Sequence, residues 1–584
     1  MQKNIVELRE FMERENFDGF FLSTTDAYQN EYVPPAFQRL AWLTGFTGSA
    51  GAAIISKENA AFFTDGRYIA QAQRELSSAF EIHNTALFTP NHWLREQKKN
   101  FRLGFDPWLV TEPQSKNFVK SGAETIALQQ NPIDALWREK PEIPQSAVKI
   151  HSLNFSGQDS LSKRKQISLT LQSNNADALL ITSLDSIAWL LNIRGADIPF
   201  TPFVLGYALL ITATQHVHFF VHHNNFPELE KTSFYENNSA SISKQLAVLK
   251  GKTVSFDPNR TPLALVELLE KNGVLLHRSE DPCQLPKACK NITEQTGTKS
   301  AHIRDGVALT EFLCWFSQHG CKKNLNEYQL GKILETYRQA QDLFVSPSFE
   351  TISGFKENGA IIHYRATEES AKTVTGQGLY LLDSGGQYHD GTTDVTRTIA
   401  VSSATTTEKR HYTLVLKGHI ALASAQFVHG TKGSSLDHLA RQFLWQDGLD
   451  YDHGTGHGVG SFLSVHEGPQ RIAKRGGDVA LQCGMIISNE PGFYKNGEYG
   501  IRIENLVLVK NAGKTPAGED LLCFETLTLA PFDPNLVAWD LLDSKEKSWL
   551  SNYHREIFKQ LKDYLKPSTK KWLEQIVNRF EADR

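Results

Sequence analysis

The sequence is poor in cysteine and has no excess of either charge, and each shortage excludes a class of protein. Six cysteines occur in 584 residues and none belongs to a CxxC pair, so neither a disulfide framework nor a zinc knuckle is indicated. We therefore expect reduced, mostly buried thiols. Lysine and arginine number 61 against 65 aspartates and glutamates, a formal net charge of −4. Because nucleic-acid binding relies on basic side chains, we expect no nucleic-acid partner.

Long apolar runs are absent as well. The longest run, Phe203 to Ile211, is interrupted by Gly206 and is far too short to span a bilayer. Charged residues recur from Glu7 to Arg14, where a secretory signal would need an unbroken apolar stretch. We therefore predict no membrane association and a cytoplasmic location.

What the sequence does contain is an internal repeat in its first half. The segment DGFFLSTTDA at 18–27 is echoed by DALLITSLDS at 177–186, and LAWLTGFTGS at 40–49 is echoed by IAWLLNIRGA at 187–196. An amphipathic helical pattern precedes each first segment, at 5–15 and at 160–172. Two unrelated α/β units could share a helix-then-strand pattern. The same two blocks recur in the same order, however, which favours a duplicated domain.

The length and the breaks in the pattern indicate several domains. At about 150 residues per domain the chain has room for three or four. Prolines and charges at 139–145 disfavour a continued helix, and the second copy is expected to end in the polar stretch at 291–299. We predict an α/β (α+β) fold with domains at 1–145, 146–298 and 299–584, the third beginning with a helix from about residue 300 and ending in a helical extension.

Short apolar strands separated by Gly, Asn and Asp follow residue 345 and predict two β-hairpins. These are LYLLDSGGQYHDGTTDVTRTIAV at 379–401 and GMIISNEPGFYKNGEYGIRIENLVLV at 484–509. Helices are expected between them, at 408–426 and 435–447. A four-residue apolar spacing from Trp549 to Leu565 predicts a last helix that Pro567 stops. Such a stripe usually packs on the core, the alternative being a partner subunit.

Each hairpin carries one acid on each of its strands. The pairs are Asp383 with Asp394 and Glu490 with Glu504, and hairpin return brings the members of each pair close together. Apolar strand residues flank all four acids, so their charges require an arginine, a solvent-exposed strand end, a turn to cap or a bound cation. The two arginines nearby in sequence are too few to neutralise four acids. Two divalent cations would balance the charge.

The glycine-rich segment HGTGHGVG at 453–460 provides the candidate nitrogen ligand, from one of its two histidines, His453 or His457. It lacks the Lys–Ser/Thr ending of a phosphate-binding loop, so that interpretation fails. Two surface histidines are the plain alternative. His363 and His466 are further candidates, although an isolated histidine is more often structural.

The segments LLDSG, TTDVTRT, HGTGHGVGSFLSVHEGP, SNEPGFY and GIRIENLVLV together resemble the C-terminal pita-bread domain of the Xaa-Pro aminopeptidases, the aminopeptidase P family. The similarity is closest to the long, three-domain cytosolic form, because the segments at 32–51 and 62–68 also resemble that family's N-terminal domain. The resemblance implies two related creatinase-like N-terminal domains followed by a pita-bread metallopeptidase domain.

By this resemblance, five residues match the family's metal ligands in order: Asp383, Asp394, His457, Glu490 and Glu504. Asp394 and Glu504 would bridge two divalent ions. Asp383 would complete the shell of one ion, and His457 and Glu490 that of the other. This oxygen-rich donor set suits Mn²⁺, which the family implies, although Co²⁺ or Zn²⁺ would also fit.

The resemblance implies a metal-dependent aminopeptidase that hydrolyses the bond between an N-terminal residue and a following proline, by a hydroxide that bridges the two metals. His363 and His466 match family histidines that contact the substrate, and imidazole can hydrogen-bond a carbonyl or pass a proton. His453 would line the proline pocket. Arg67, in TDGRY, would reach the substrate, its alternative being a surface ion pair. The partners implied are X–Pro peptides and a second copy in a homodimer.

Other activities are known for related folds and stay open at this point. A prolidase would hydrolyse only X–Pro dipeptides, and a methionine aminopeptidase usually lacks the two N-terminal domains. A creatinase-type amidinohydrolase lacks the five ligands. A non-catalytic binding module, as in certain histone-chaperone subunits, would have lost them as well.

Overall fold

The structure is a computed structural model that describes residues 2–221, 235–237, 242–320 and 322–582. It is a mixed helix and strand fold, as predicted, and divides into two compact units. The first unit comprises Met1–Leu153 with Gln158–Cys283, and the second comprises Asn154–Gly157 with Gln284–Arg584.

The first unit contains two six-stranded sheets. The strands of the first sheet, β1 to β6, are Gly19–Ser23, Ala52–Ser56, Ala60–Thr64, Phe80–Asn84, Phe101–Phe105 and Ala123–Ala127. The next eight strands, β7 to β14, are Lys149–Ile150, Ala178–Ile181, Ile193–Arg194, Gly206–Ile211, Val217–Val221, Tyr235–Asn237, Thr253–Phe256 and Leu275–Arg278. Helices α1 to α11 are Gln2–Arg14, Arg39–Thr44, Ile69–Glu75, Pro90–Arg95, Glu112–Lys120, Pro132–Leu136, Leu153–Ser156, Ser160–Ser173, Leu184–Leu191, Ile242–Val248 and Leu263–Lys271.

The two sheets have the same topology, which confirms the internal repeat. Their strand orders are β4-β3-β2-β1-β5-β6 and β12-β11-β10-β8-β13-β14. In each sheet the first central strand, β1 or β8, is antiparallel to one neighbour and parallel to the other. The short strands β7 and β9 pair with each other outside this pattern.

The echoed blocks occupy equivalent places in the two copies. The first block of each pair forms β1 or β8, and the second forms the helix that follows, α2 or α9. Helix α2 ends at Gly45 and helix α9 at Asn192, which hold equivalent positions in the echo and both have left-handed backbone, with φ of 84° and 51°. Glycine and asparagine are the residues that tolerate this helix-ending conformation best.

The second unit carries the candidate site. Helices α12 to α18 are Gln284–Ala288, Ile292–His319, Glu327–Gln339, Thr406–Ala423, Asp437–Gln446, Ser544–Leu561 and Pro567–Ala582. Strands β15 to β28 are Phe344–Pro347, Ile352–Phe355, Gly378–Ser384, Gly386–Tyr388, Gly391–Thr392, Val395–Val401, Gln426–Val428, Gly456–Gly458, Glu467–Ile472, Ile486–Asn489, Gly492–Lys495, Tyr499–Arg502, Asn505–Lys514 and Asp520–Thr526. Two of its sheets have the orders β16-β17-β20 and β21-β28-β27-β24-β22-β23.

Both predicted hairpins are present, and each is interrupted near its acids. In the first, β17 pairs antiparallel with β20, and the smaller hairpin β18–β19 lies between them. In the second, β24 pairs with β27 as far as Asn489 opposite Asn505, and the pairing resumes between β25 and β26. Glu490 and Glu504 lie in the break between these two ladders.

Several helix boundaries differ from the prediction. The polar stretch at 291–299 forms the first turns of α13, because Asn291 and Glu294 make a capping box at its start. The expected domain boundary between residues 298 and 299 falls inside this helix. Helix α15 ends at Ala423, before the predicted 426. The last predicted helix ends at Leu561, and Pro567 begins α18 instead of stopping the helix before it.

The cysteines are less buried than predicted. Cys283 and Cys314 are buried, whereas Cys289 and Cys523 are half-buried and Cys483 is exposed. Cys321 lies outside the described residues. Among the described helices, none combines the length and the apolarity that crossing a bilayer requires.

Helices α15 and α16 approach each other closely at Gly418. A Cβ atom on Gly418 would lie 2.1 Å from the carbonyl oxygen of Ala440 in α16, closer than any real contact. The backbone of one helix therefore rests directly on that of the other. At Gly331 in α14, by contrast, a Cβ atom would meet the Thr351 methyl group at 3.5 Å, an ordinary contact.

These two glycines predict opposite effects of the same substitution. Alanine is a better helix former than glycine, so Gly331→Ala should raise the free energy of unfolding by up to about 1 kcal/mol. Gly418→Ala should lower it by about 1–3 kcal/mol, because the helices must separate. Thermal unfolding midpoints measure both effects. A raised midpoint for Gly418→Ala would contradict the close approach.

Candidate metal centre

The two interrupted hairpins and one neighbouring strand bring five predicted ligands together. Asp383 is the penultimate residue of β17, and Asp394 immediately precedes β20. Glu490 immediately follows β24, and Glu504 immediately precedes β27. His457 lies in the middle of β22, which pairs with β24 at Gly458 and Ile487. The sheet therefore places the imidazole beside the strand ends that carry the acids.

Ligand atoms of Asp394, His457 and Glu504 all lie within 4.8 Å of one another. The Nε2 atom of His457 is 3.5 Å from Oδ2 of Asp394 and 3.5 Å from Oε1 of Glu490. The charge of Asp383 contributes to raising the pKa values of Asp394, Glu490 and Glu504, so Asp383 lies close to these three acids. All five side chains thus converge on one place in the second unit.

The tautomer of His457 follows from its hydrogen bonds. Its Nδ1 atom lies 2.9 Å from the carbonyl oxygen of Gly458, which can only accept, so Nδ1 carries the proton. The Nε2 atom then faces the carboxylates of Asp394 and Glu490, at 3.5 Å from each. This arrangement of electron-rich atoms is the one that a cation stabilises.

The acids repel one another, and three of them hold their protons abnormally tightly. Burial and the charges of Asp383 and Glu490 raise the pKa of Asp394 well above its usual range. Burial and the other three acids raise the pKa of Glu504 in the same way. Burial also raises the pKa of Glu490, although the nearby His457 opposes it.

Arg502 is the cation in contact with the acids. Its guanidinium donates to Oδ2 of Asp383 at 2.6 Å and to the Tyr494 hydroxyl at 2.7 Å. Although burial opposes it, contact with Tyr494 and Asp383 raises the pKa of Arg502 above its usual range. Arg397 makes its side-chain hydrogen bonds to carbonyl, amide and hydroxyl oxygens and to no carboxylate. Among the residues that the structure describes, Arg502 is thus the arginine that pairs with one of the four acids, and its single charge is too small to balance them.

The donors that remain fit divalent cations. The Oδ1 atom of Asp383 is buried and has no hydrogen-bond partner among the described residues. An unpartnered buried carboxylate oxygen is costly unless a cation binds it. Carboxylate oxygens with one imidazole are the ligands that Mn²⁺ and similar hard ions prefer. The residues present thus suit a metal pair in number, charge and donor type.

The three predicted substrate histidines lie around this cluster. The ring of His466 is 4.4 Å from that of His457, at an angle of 82°. His363 follows Ile362, whose carbonyl oxygen accepts a hydrogen bond from Arg502. His453 is 3.9 Å from Glu490, and its Nε2 atom is 2.8 Å from the Tyr494 hydroxyl.

Arg67 lies in the first unit, where its side chain makes two hydrogen bonds to Asp65, of 2.9 and 2.8 Å. This pair corresponds to the alternative that the sequence left open, and 29% of the Arg67 side chain remains exposed. A role toward a substrate remains a prediction.

Sequence reasoning missed the polar residues that orient the ligands. Thr396 donates to Glu504 at 2.8 Å, and Ser488 donates to Glu490 at 3.2 Å. Tyr494 connects Arg502 with His453. Ser488 lies two residues before Glu490, and Thr396 lies two residues after Asp394. Because side chains two residues apart on a strand point to the same face, this spacing could have identified both residues. Tyr494 offered no such signal.

Comparisons with known proteins place each part of the chain. Residues 296–511 match the model of metallopeptidase family M24, and residues 520–580 match the model of the C-terminal region of peptidase M24. "Creatinase/Prolidase N-terminal domain" matches twice, at 5–134 and 139–294.

The chain is similar over nearly its whole length to curated relatives and to a solved structure. The chain is 38% identical over 600 residues to the probable Xaa-Pro aminopeptidase P of Laccaria bicolor, covering 98% of this chain and 92% of that one. It is 37% identical over 607 residues to aminopeptidase P2 of Arabidopsis thaliana, covering 95% and 85%. The crystal structure of the X-prolyl aminopeptidase from Caenorhabditis elegans, described as a cytosolic enzyme with a di-nuclear active site, matches with a TM-score of 0.93, 33% identity and 99% of both chains.

The raised pKa of Glu504 predicts how the metal-free protein responds to pH. A carboxyl group with a raised pKa stabilises the fold fully below its unfolded pKa, and this contribution is lost as the pH rises through the folded pKa. Glutamine cannot ionise. Glu504→Gln should therefore raise the unfolding midpoint of chelator-treated protein by about 1–3 °C at pH 8, and leave it nearly unchanged at pH 5.

Glu525→Gln is the matched control on the neighbouring strand β28. Despite its burial, hydrogen bonds from Lys299 and Lys510 lower the pKa of Glu525. Its replacement should therefore lower the midpoint at pH 8. The same sign for both variants at pH 8 would contradict the electrostatic account.

Proposed function

The chain belongs to the Xaa-Pro aminopeptidase family of M24 metallopeptidases, and we propose that it releases the N-terminal residue from peptides in which proline is second. It is a metal-dependent aminopeptidase and therefore a hydrolase. The observation that carries the substrate proposal is the cluster of Asp394, His457 and Glu504, with Glu490 and Asp383 beside it, in a chain that aligns over nearly its full length with Xaa-Pro aminopeptidases.

The ligand set proposed for two divalent ions is Asp383, Asp394, His457, Glu490 and Glu504. The family resemblance implies that Asp394 and Glu504 would contact both ions, and these two are also the most deeply buried of the four acids. Mn²⁺ is the proposed ion, on the basis of the oxygen-rich donor set. When bound, such a pair lowers the pKa of a bridging water so that hydroxide is available near neutral pH.

The chain's own residues would bind and orient the peptide. His466, whose ring lies 4.4 Å from that of His457, is proposed to hydrogen-bond the scissile carbonyl or to pass a proton, and His363 is proposed for the same role. Arg502 holds Asp383 on one side and Tyr494 on the other, so it fixes one ligand while it orients the hydroxyl that contacts His453.

Proline specificity depends on the chemistry of the scissile bond. An X–Pro bond is a tertiary amide without an N–H, so a peptidase that hydrogen-bonds this group loses a contact. A site specialised for it needs a pocket shaped for the ring. We propose that His453, which packs between Tyr451 and Tyr494, lines that pocket. Arg67 is proposed to reach the substrate, as the family resemblance implies.

Three further proposals rest on the sequence patterns and on the family resemblance. The chain is proposed to be cytoplasmic, to be a homodimer, and to consist of domains at 1–145, 146–298 and 299–584. The apolar stripe of the last helices gives the homodimer no support, because Tyr553, Ile557, Leu561 and Leu565 are buried within the second unit. Size-exclusion chromatography with light scattering measures the oligomeric state.

The substrate class is tested with matched peptides. We expect the Mn²⁺-loaded enzyme to release the first residue from X–Pro–Y peptides and not from X–Ala–Y peptides, with the activity lost on chelation and restored best by Mn²⁺. Arg–Pro–Pro should be hydrolysed in preference to the dipeptide Ala–Pro. Cleavage of the dipeptide alone would instead identify a prolidase, and fewer than about one bound divalent ion per chain would indicate a non-catalytic binding protein.

Isosteric changes at the shared acids test the metal site. Asp394→Asn and Glu504→Gln each remove one charge from the site without changing the shape of the side chain. We expect kcat to fall more than about 100-fold, because loss of residues that merely orient ligands already costs 10–100-fold. Asp520→Asn, an exposed change on β28, is the control and should retain full activity. A tenth of wild-type activity in either acid variant would refute the shared roles.

A further inference from the structure

His419 of helix α15 contacts both residues adjacent to the glutamate ligands. Its Nδ1 atom lies 3.1 Å from the carbonyl oxygen of Asn489, and its Nε2 atom lies 3.1 Å from Nδ2 of Asn505. Its own carbonyl oxygen accepts from Nδ2 of Asn489 at 2.9 Å. Asn489 precedes Glu490, and Asn505 follows Glu504. One buried histidine therefore connects the two strand ends that carry these ligands.

The protonation state of His419 is set by its surroundings. A carbonyl oxygen can only accept, so Nδ1 donates to Asn489, and Nε2 accepts from the amide of Asn505. Burial and the charge of Arg397 lower the pKa of His419 to about 3. The ring is therefore neutral at working pH, and both of its nitrogens are used.

Arg397 contacts the same strand end from the opposite hairpin. Its guanidinium donates to the carbonyl oxygen of Glu504 at 2.7 Å and to Oδ1 of Asn505 at 2.8 Å. It is 2% exposed, so its charge is compensated by these oxygens and by the ring of Phe532, 4.5 Å away.

Helix α17 completes this set of contacts through Tyr553. The Tyr553 hydroxyl lies 3.0 Å from Nη2 of Arg397, 3.0 Å from the carbonyl oxygen of Ala530 and 3.3 Å from Oδ1 of Asn505. Its ring stacks on Trp549, with centroids 5.2 Å apart. A C-terminal helix that contributes none of the predicted ligands thus reaches the residue next to Glu504.

The backbone at the two glutamates lies between two strand ladders. The ladder between β24 and β27 ends at the pair Asn489 and Asn505, and pairing resumes at Gly492 and Arg502. The N–H groups of Glu490 and Glu504 donate to the carbonyl oxygens of Thr455 and Thr396, while the two carboxylates repel each other. Hydrogen bonds from His419 to the carbonyl oxygen of Asn489 and from Arg397 to that of Glu504 add to these main-chain contacts.

We infer that His419 and Tyr553 are positioning residues for the metal ligands, holding Glu490 and Glu504 at the distance that binds the metal pair. The inference rests on the proposed metal site and extends it to the C-terminal helix. It assigns these two buried side chains a measurable effect on metal affinity, beyond their contribution to folding.

Tyr553→Phe is the direct test, since it removes one hydroxyl and leaves the stacked ring in place. We expect calorimetric titration of the metal-free protein with Mn²⁺ to show about tenfold weaker binding of at least one equivalent. In the Mn²⁺-saturated enzyme kcat should fall while KM stays within about twofold, because the substrate contacts are unchanged. Tyr564→Phe, at an exposed position beyond the end of the same helix, is the control and should match wild type.

A second pair of variants keeps the test decisive if Tyr553→Phe does not fold. His419→Gln retains a donor and an acceptor, whereas His419→Leu removes both, so Gln should bind Mn²⁺ more tightly than Leu. Variants that fold with a lowered unfolding midpoint but bind Mn²⁺ within twofold of wild type would overturn the inference and show a structural role alone. Wild-type protein that binds no divalent ion would instead refute the proposed metal site itself.

Discussion

Electrostatic repulsion among four carboxylates is the constraint on which the second unit depends. Asp383, Asp394, Glu490 and Glu504 share a largely buried space with one contacting guanidinium, and three of them have pKa values pushed upward as a result. A fold brings such groups together only if other interactions outweigh the repulsion or a cation removes it. The interrupted hairpins, the Nε2 atom of His457 that faces the acids and the buried arginines all relate to this one problem.

The two arginines near the acids address it in different ways. Arg502 supplies charge, because its guanidinium touches Asp383 directly. Arg397 fixes the position of the backbone at Glu504, because it donates to main-chain and amide oxygens around this residue and, among the described residues, to no carboxylate. A lysine has three donors on a single point charge and could not repeat either pattern, which requires a planar fork. Their spacing in sequence shows that both lie near acids and leaves these distinct roles undetermined.

The parts of the fold that the sequence predicts are those encoded by local patterns. Alternation and turn residues predict both hairpins, and the echo of two blocks predicts two sheets of equal topology. The predicted helix ends were less accurate. The polar stretch at 291–299 was interpreted as the end of a domain, whereas Asn291 and Glu294 in this stretch form the capping box that begins α13. In the site, residue type and order predict the five metal ligands. Tyr494, His419 and Tyr553 act through contacts between residues far apart in the sequence, which no spacing predicts.

The close approach at Gly418 has a consequence for how the chain can vary. Helix α15 rests on α16 at this glycine, and the next residue, His419, holds the strand ends beside Glu490 and Glu504. A bulkier residue would displace the helix and, with it, the imidazole. A position without any functional group of its own therefore accepts no larger side chain while the two helices keep this packing, so the geometry beside the glutamates depends on the absence of a single Cβ atom.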